Sequence, residues 1–125
     1  MKIRSIRWRV ALLALLACAA AAHAGDAKKG KDAFSACQVC HAVVKGGPNG
    51  LGPNLFGVVG RKAASLSGFY YSAALKSSKI SWTNDKLKAW ITSPYKLVPG
   101  NRMAFAGVSD PKKADDIVAY LDTLK

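Results

Sequence analysis

Cys37-Gln38-Val39-Cys40-His41 decides how the rest of this chain is read. Two thiols three residues apart on one helical turn point to the same side. From there they can add to the two vinyl groups of a single porphyrin and form thioethers. The next residue, His41, then swings under the iron as an axial imidazole. C-x-x-C-H is the attachment motif of c-type haem. Other uses of the two thiols fit less well. A thioredoxin-like pair follows a strand in a βαβ pattern, and no such pattern surrounds Cys37. A disulfide across two intervening residues closes a tiny loop and stabilises little.

N-terminal to this motif the chain opens with a leader. Met1 to Arg9 carries Lys2, Arg4, Arg7 and Arg9 and no acid. Val10 to Ala22 is an apolar run of 13 residues, short for a bilayer span. Ala22-His23-Ala24 is an A-x-A site before Gly25. Residues 1–24 therefore read as a cleaved secretory signal peptide, and 25–125 as one domain. Two other readings tether the domain to a membrane. One is an uncleaved anchor. The other is lipidation at Cys18, where Leu15-Leu16-Ala17-Cys18 resembles a lipoprotein box.

Setting the leader aside changes the composition. The whole chain holds 19 Lys and Arg against 7 acids, all Asp, for a net charge of +12. Residues 25–125 keep fifteen of the cations and all seven acids, for +8. Their apolar fraction is about 45%, ordinary for a globular domain. A core drawn from 101 residues is small, and an exported domain of this size gains from a disulfide, metal or cofactor. Cys37, Cys40, His41 and Met103 are its only Cys, His and Met. Three Cys/His ligands fall short of the four that a closed zinc site wants.

An imidazole-held iron needs a second strong ligand if it is to transfer electrons. Met103 is the only thioether available, in a loop opened by the Pro99-Gly100 turn. A methionine more often fills a gap in a core, and Lys96 is the nearest substitute ligand.

The remaining pattern is helical. Asp26 is placed to cap a helix running to His41, with Ala27, Gly30, Ala33, Phe34 and Cys37 on one side. Residues 42–71 show no period and hold seven of the eleven glycines. So long a loop suits a small domain only if its side chains pack on something else, such as a porphyrin. Leu87, Trp90 and Ile91 stripe a helix that starts near Thr83 or Asn84 and stops before Pro94. Asp110 and Pro111 open a last helix with Ala114, Ile117, Val118, Leu121 and Leu124 on its buried side. The predicted class is all-α.

With these motifs in place, residues 26–124 resemble a class I cytochrome c, of the small mitochondrial-like kind found in bacteria. The resemblance rests on Gly30-Lys31-Asp32-Ala33-Phe34, Gly52-Pro53-Asn54-Leu55-Phe56-Gly57 and Gly60-Arg61-Lys62. It extends to Gly68-Phe69 with Tyr71, Ile80-Ser81-Trp82, Pro99 to Gly107, and Ala119-Tyr120-Leu121. It implies about three main helices, with short ones and long loops, wrapped round one covalent haem c. Pro53 would offer its carbonyl to the ring N–H of His41. Tyr71 and Trp82 would bond a buried propionate whose charge Arg61 offsets. Gly30 would let the first and last helices cross closely, near Phe34 and Tyr120, and Phe105 would close the haem edge.

Departures from the family pattern accompany the resemblance. Trp90 stands where a Tyr is usual beside the Met ligand, Leu75 where an Asn is frequent, and Ala114 where an Arg is usual. Asp32, Gly50, Tyr95, Ser109 and Asp110 occupy neighbourhoods where relatives carry lysines. Lys45, Lys96, Arg102, Lys112 and Lys113 remain as docking charges.

The expected function is a monomeric one-electron carrier in the periplasm of a Gram-negative bacterium, docking on acidic redox partners. An exported chain without a nucleic-acid motif argues against nucleic acid as the target of its positive charge. A haem peroxidase or small-ligand binder would need an open iron position, and no spare His or catalytic acid pair is present to serve it.

Overall fold

The computed structural model describes residues 25–125. The leader, its cleavage site and Cys18 lie outside the described residues.

The Asp26 carboxylate accepts the Lys28 and Lys29 backbone N–H groups at 3.0 and 3.1 Å. Those donors would otherwise be orphans of the first turn. The helix that follows, α1 (Ala27–Ala33), is shorter than the sequence predicts. It tightens into a 3₁₀ turn over Phe34–Ala36. Cys37 and Gln38 then both donate to the Phe34 carbonyl, and Cys40 and His41 both donate to the Cys37 carbonyl. The right-handed winding continues to His41, but as single tightened turns.

The last helix, α5 (Pro111–Asp122), begins as expected. Asp110 accepts the Lys112 N–H at 2.9 Å, and Pro111 fills the first position. Ala114, Ile117, Val118 and Leu121 are buried, and Leu124 packs against them from just beyond the helix. α5 crosses α1 at Gly30, where any Cβ would run into the Asp116 carbonyl. Beside the crossing, the Phe34 and Tyr120 rings meet at 5.3 Å between centroids, tilted by 57°.

Asp116, which the buried stripe does not foreshadow, fastens the same crossing. Its Oδ1 accepts the Asp26 N–H at 2.7 Å and the Lys112 ammonium at 3.0 Å. The Asp26 N–H, and then Lys112, hold its carboxyl below the ordinary carboxylate range.

α3 (Asn84–Thr92) starts where the sequence places it, with the Thr83 hydroxyl accepting the Lys86 N–H at 3.2 Å. Leu87 and Ile91 enter the core, and Trp90 lies 5.3 Å from Trp82. Two short helices, α2 (Ala73–Ser77) and α4 (Pro94–Leu97), carry too few residues to show a period. Among the described residues the sole β pairing is an isolated antiparallel bridge between Lys62 and Ser81. The all-α class holds.

The long loop is tied by side chains. Buried Asn54 donates to the Val44 and Gly47 carbonyls at 2.7 and 3.0 Å and accepts the Phe56 N–H at 3.0 Å. Farther along, Gly57 donates to the Leu124 carbonyl and Gly60 to that of Trp82. The loop is thereby fixed to both the C-terminus and the core.

Candidate functional site

The turn from Cys37 to His41 presents three functional groups together. Neither Cys37 nor Cys40 is in a disulfide, and both are partly buried. Burial first, and then the neighbouring Cys40, push the Cys37 thiol up, with Lys113 partly offsetting them. His41 Nδ1 lies 2.8 Å from the Pro53 carbonyl oxygen, which accepts its proton. That bond fixes the ring and leaves Nε2 free to bind a metal. Burial holds the imidazole below its ordinary pKa, so it is neutral at pH 7 and able to ligate.

Gly52 makes room for this ring. A methyl group there would come within 2.6 Å of His41 Nδ1 and 2.8 Å of Nε2. The Gly52 N–H meanwhile donates to the Cys40 carbonyl at 2.9 Å. The Gly52 backbone thus lies close against the imidazole ring. This cradle and two unpaired thiols on one turn fit a haem attached through C-x-x-C-H. Among the described residues no three His, Cys, Asp or Glu side chains group closely enough to hold a metal ion by themselves.

Met103 is partly buried, and its backbone is held from two sides. Buried Asn101 accepts the Met103 N–H at 2.9 Å and donates to the Val98 carbonyl at 2.9 Å. Tyr95, on α4, donates its hydroxyl proton to the Met103 carbonyl at 2.8 Å. Phe105 lines a cavity of about 420 Å³ together with Cys37, Val108, Lys113 and Ile117. Cys37 and the end of the Met103 loop therefore face one opening, whose lining does not include Met103, Cys40 or His41.

Arg61 is half-buried and takes part in none of the three ion pairs among the described residues. It donates to the Asn54 carbonyl at 3.0 Å and the Phe56 carbonyl at 3.4 Å. Burial lowers its pKa, and nearby Tyr71 partly restores it. Tyr71 and Trp82 are both buried, and the Tyr71 ring meets Phe69 edge-on at 4.9 Å. A desolvated guanidinium without a carboxylate is costly, and an anionic group of a cofactor would relieve it.

Sequence reasoning missed Asn54, Asn101 and Tyr95 as supports of the site. The two asparagines had a signal. Each accepts the N–H two residues on, the turn that Asn favours in loops. Tyr95 had none, because its contact depends on where α4 places it.

Fold and site together define a small helical protein built to carry one haem on two thioethers. Residues 27–125 match the Cytochrome c family. The chain belongs to the cytochrome c family. Over 98 residues it is 47% identical to cytochrome c2 of Rhodopila globiformis, covering 78% of this chain and 92% of that one. Over 84 residues it is 46% identical to cytochrome c of Trypanosoma brucei brucei, covering 67% and 90%. Among solved structures it resembles cytochrome cH from Methylobacterium extorquens, with a TM-score of 0.75 and 50% identity. That match spans 79% of this chain and 99% of the other. Members bind one covalent haem c through this motif, and Cys37, Cys40 and His41 fit it. The chain is an electron carrier, not an enzyme. No helix among the described residues is long and apolar enough to cross a membrane.

Proposed function

We propose that this cytochrome is a periplasmic one-electron carrier, exported by residues 1–24, with His41 and Met103 as the axial ligands of its haem. The observation that carries the reading is the His41–Pro53 bond of 2.8 Å, which commits Nδ1 and leaves Nε2 for iron. Bound haem supplies the Fe(III)/Fe(II) couple. The chain's residues do the rest. Asn101 and Tyr95 hold the Met103 backbone, which would keep its thioether in place as a ligand. Arg61, Tyr71 and Trp82 would hold a propionate, with Trp90 packed on Trp82 at 5.3 Å. Phe105 would cover the haem edge and exclude water, and a thioether ligand in a dry pocket would raise the potential. The protein is a monomer that meets acidic redox partners transiently.

Optical spectra of protein matured in the periplasm test this. A low-spin c-type spectrum is expected, with a weak near-infrared sulfur–iron band lost in Met103→Ala. A high-spin spectrum that binds CO without mutation would instead indicate a peroxidase or ligand binder. Lys96 as ligand would leave the band absent in the unmutated protein. Mass spectrometry should find Gly25 at the mature N-terminus. A diacylglyceryl group on Cys18 or an intact Met1 would overturn the untethered assignment.

A further inference from the structure

Asn49-Gly50 is the one place in the chain where an asparagine precedes a glycine; Asn54, Asn84 and Asn101 precede Leu, Asp and Arg. A glycine has no Cβ to shield its backbone nitrogen, so that nitrogen can reach the side-chain carbonyl carbon of the asparagine before it. Gly50 is exposed and Asn49 partly so, and water therefore reaches the pair. Both reacting groups are nonetheless held. Asn49 Oδ1 accepts the Asn54 N–H at 2.9 Å, and Nδ2 donates to the Ser67 carbonyl at 3.5 Å. The Gly50 N–H donates to the Gly52 carbonyl at 3.0 Å. Packing also explains the glycine, because a methyl group at position 50 would lie 3.0 Å from the Cys40 carbonyl oxygen. The same stretch of chain runs on into Gly52 and Pro53, which hold the His41 ring.

We propose that Asn49 is a deamidation site gated by the fold, shut while the 44–54 loop is held and open in chains whose loop has come loose. In the open loop the Gly50 nitrogen, its proton taken by hydroxide, attacks Asn49 Cγ. The new N–Cγ bond closes a succinimide ring as the Cγ–Nδ2 bond breaks and ammonia leaves. Water then opens the ring at either carbonyl, leaving an aspartate or an isoaspartate at position 49. In sum, an amide and a water become a carboxylate and an ammonium ion, with nothing oxidised or reduced. Both products spoil the loop. A carboxylate oxygen replaces Nδ2 opposite the Ser67 carbonyl, so two acceptors face each other and the tie is lost. It is also an acid in residues 33–84, which otherwise have none. Isoaspartate further inserts a methylene into the backbone ahead of Gly52, whose close fit against His41 then loses its register. A chain that stays open long enough to react therefore rebuilds its haem cradle poorly. The proposal depends neither on Met103 as a ligand nor on the electron-carrier reading.

Haem-loaded protein kept at mildly alkaline pH, either folded or in guanidinium, tests this. Mass spectrometry of the tryptic peptide 46–61 follows the loss of the amide, and Asn54, Asn84 and Asn101 are internal references. Asn49 should convert first of the four in guanidinium, and roughly tenfold or more slowly in the folded protein. Asn54→Ala frees the Val44 and Gly47 carbonyls and should speed conversion in the folded protein roughly three- to tenfold. Gly50→Ala should slow conversion in guanidinium roughly tenfold, a reading that needs no folded variant. Haem-loaded Asn49→Asp should unfold at a lower guanidinium midpoint than the unmutated protein. Equal rates folded and unfolded would remove the gate. Conversion of another asparagine before Asn49, or of Gly50→Ala at the unmutated rate, would remove the site. An unchanged midpoint for Asn49→Asp would overturn the stated damage to the loop.

Discussion

Replacing Gly30 with alanine sets two effects of opposite sign against each other. In an open helix the change stabilises by about 1 kcal/mol, because Gly loses more backbone freedom than Ala. Here the new methyl group points into the Asp116 carbonyl, and the Ile117 nitrogen is only 3.0 Å away. The obstacle is backbone, so no side chain can rotate aside, and α1 must lift from α5. Overpacking of this kind costs up to about 3 kcal/mol. Lifting also spoils the Phe34–Tyr120 contact, worth about 1 kcal/mol, and lengthens the 2.7 Å bond from Asp26 to Asp116. The balance is a loss near ~3 kcal/mol, or a Tm lower by roughly 12–20 °C for a domain of this size. Guanidinium unfolding of the haem-loaded protein, followed by circular dichroism, measures it. Lys29→Ala on the exposed side of α1 is the control and should stay within about 0.5 kcal/mol. A midpoint for Gly30→Ala at or above the unmutated one would mean that propensity decides and the helices do not cross closely.

Asp116→Asn should lower the unfolding midpoint at neutral pH. Its carboxyl is held below the ordinary range, so its contribution is present above the unfolded pKa of about 3.9. It disappears as pH falls through the depressed folded value, so the two unfolding curves should converge in acid. A gap that persists there contradicts the assignment. Asn54→Ala strips partners from the Val44 and Gly47 carbonyls and the Phe56 N–H. A loss of about 2–3 kcal/mol is expected, with faster hydrogen exchange at Phe56, and unchanged exchange would refute it. Asn101→Ala should weaken the near-infrared sulfur–iron band by freeing the Met103 N–H, and an intact band would show that Tyr95 alone holds the loop.

What could be read in the sequence followed from local chemistry. The caps at Asp26 and Asp110 and the α5 stripe need only neighbouring residues to specify them, and all stand where their spacing puts them. Gly30 was legible for the same reason, since a helical glycine asks for a close neighbour. The end of α1 at Ala33 was not legible, because the tightened winding to His41 depends on the Phe34 and Cys37 carbonyls each accepting two N–H groups. Asp116 reads from sequence as a surface residue of an amphipathic helix. Its burial depends on the crossing partner, 90 residues away, whose N–H it accepts. Tyr95 stood in the sequence only as the absence of a lysine, because a hydroxyl reaching the Met103 carbonyl is a consequence of tertiary placement.

The position of the acids ties the fold to the charge it presents. Asp26 and Asp110 cap helices, and Asp85 sits in the first turn of α3, where negative charge suits the helix dipole. Asp115 pairs with Lys88 at 2.7 Å, Asp116 holds α5 to the start of α1, and Asp122 pairs with Lys125 at 3.2 Å. Only Asp32 has no such duty among the described residues. Acids are thus used where helices need ends and crossings need fastening, and the loops round the haem need neither. Those loops turn on glycine and are held by neutral amides, chiefly Asn54 and Asn101. Their lysines and arginines are therefore left without acids beside them in sequence. A positive loop side follows from how this small domain is held together.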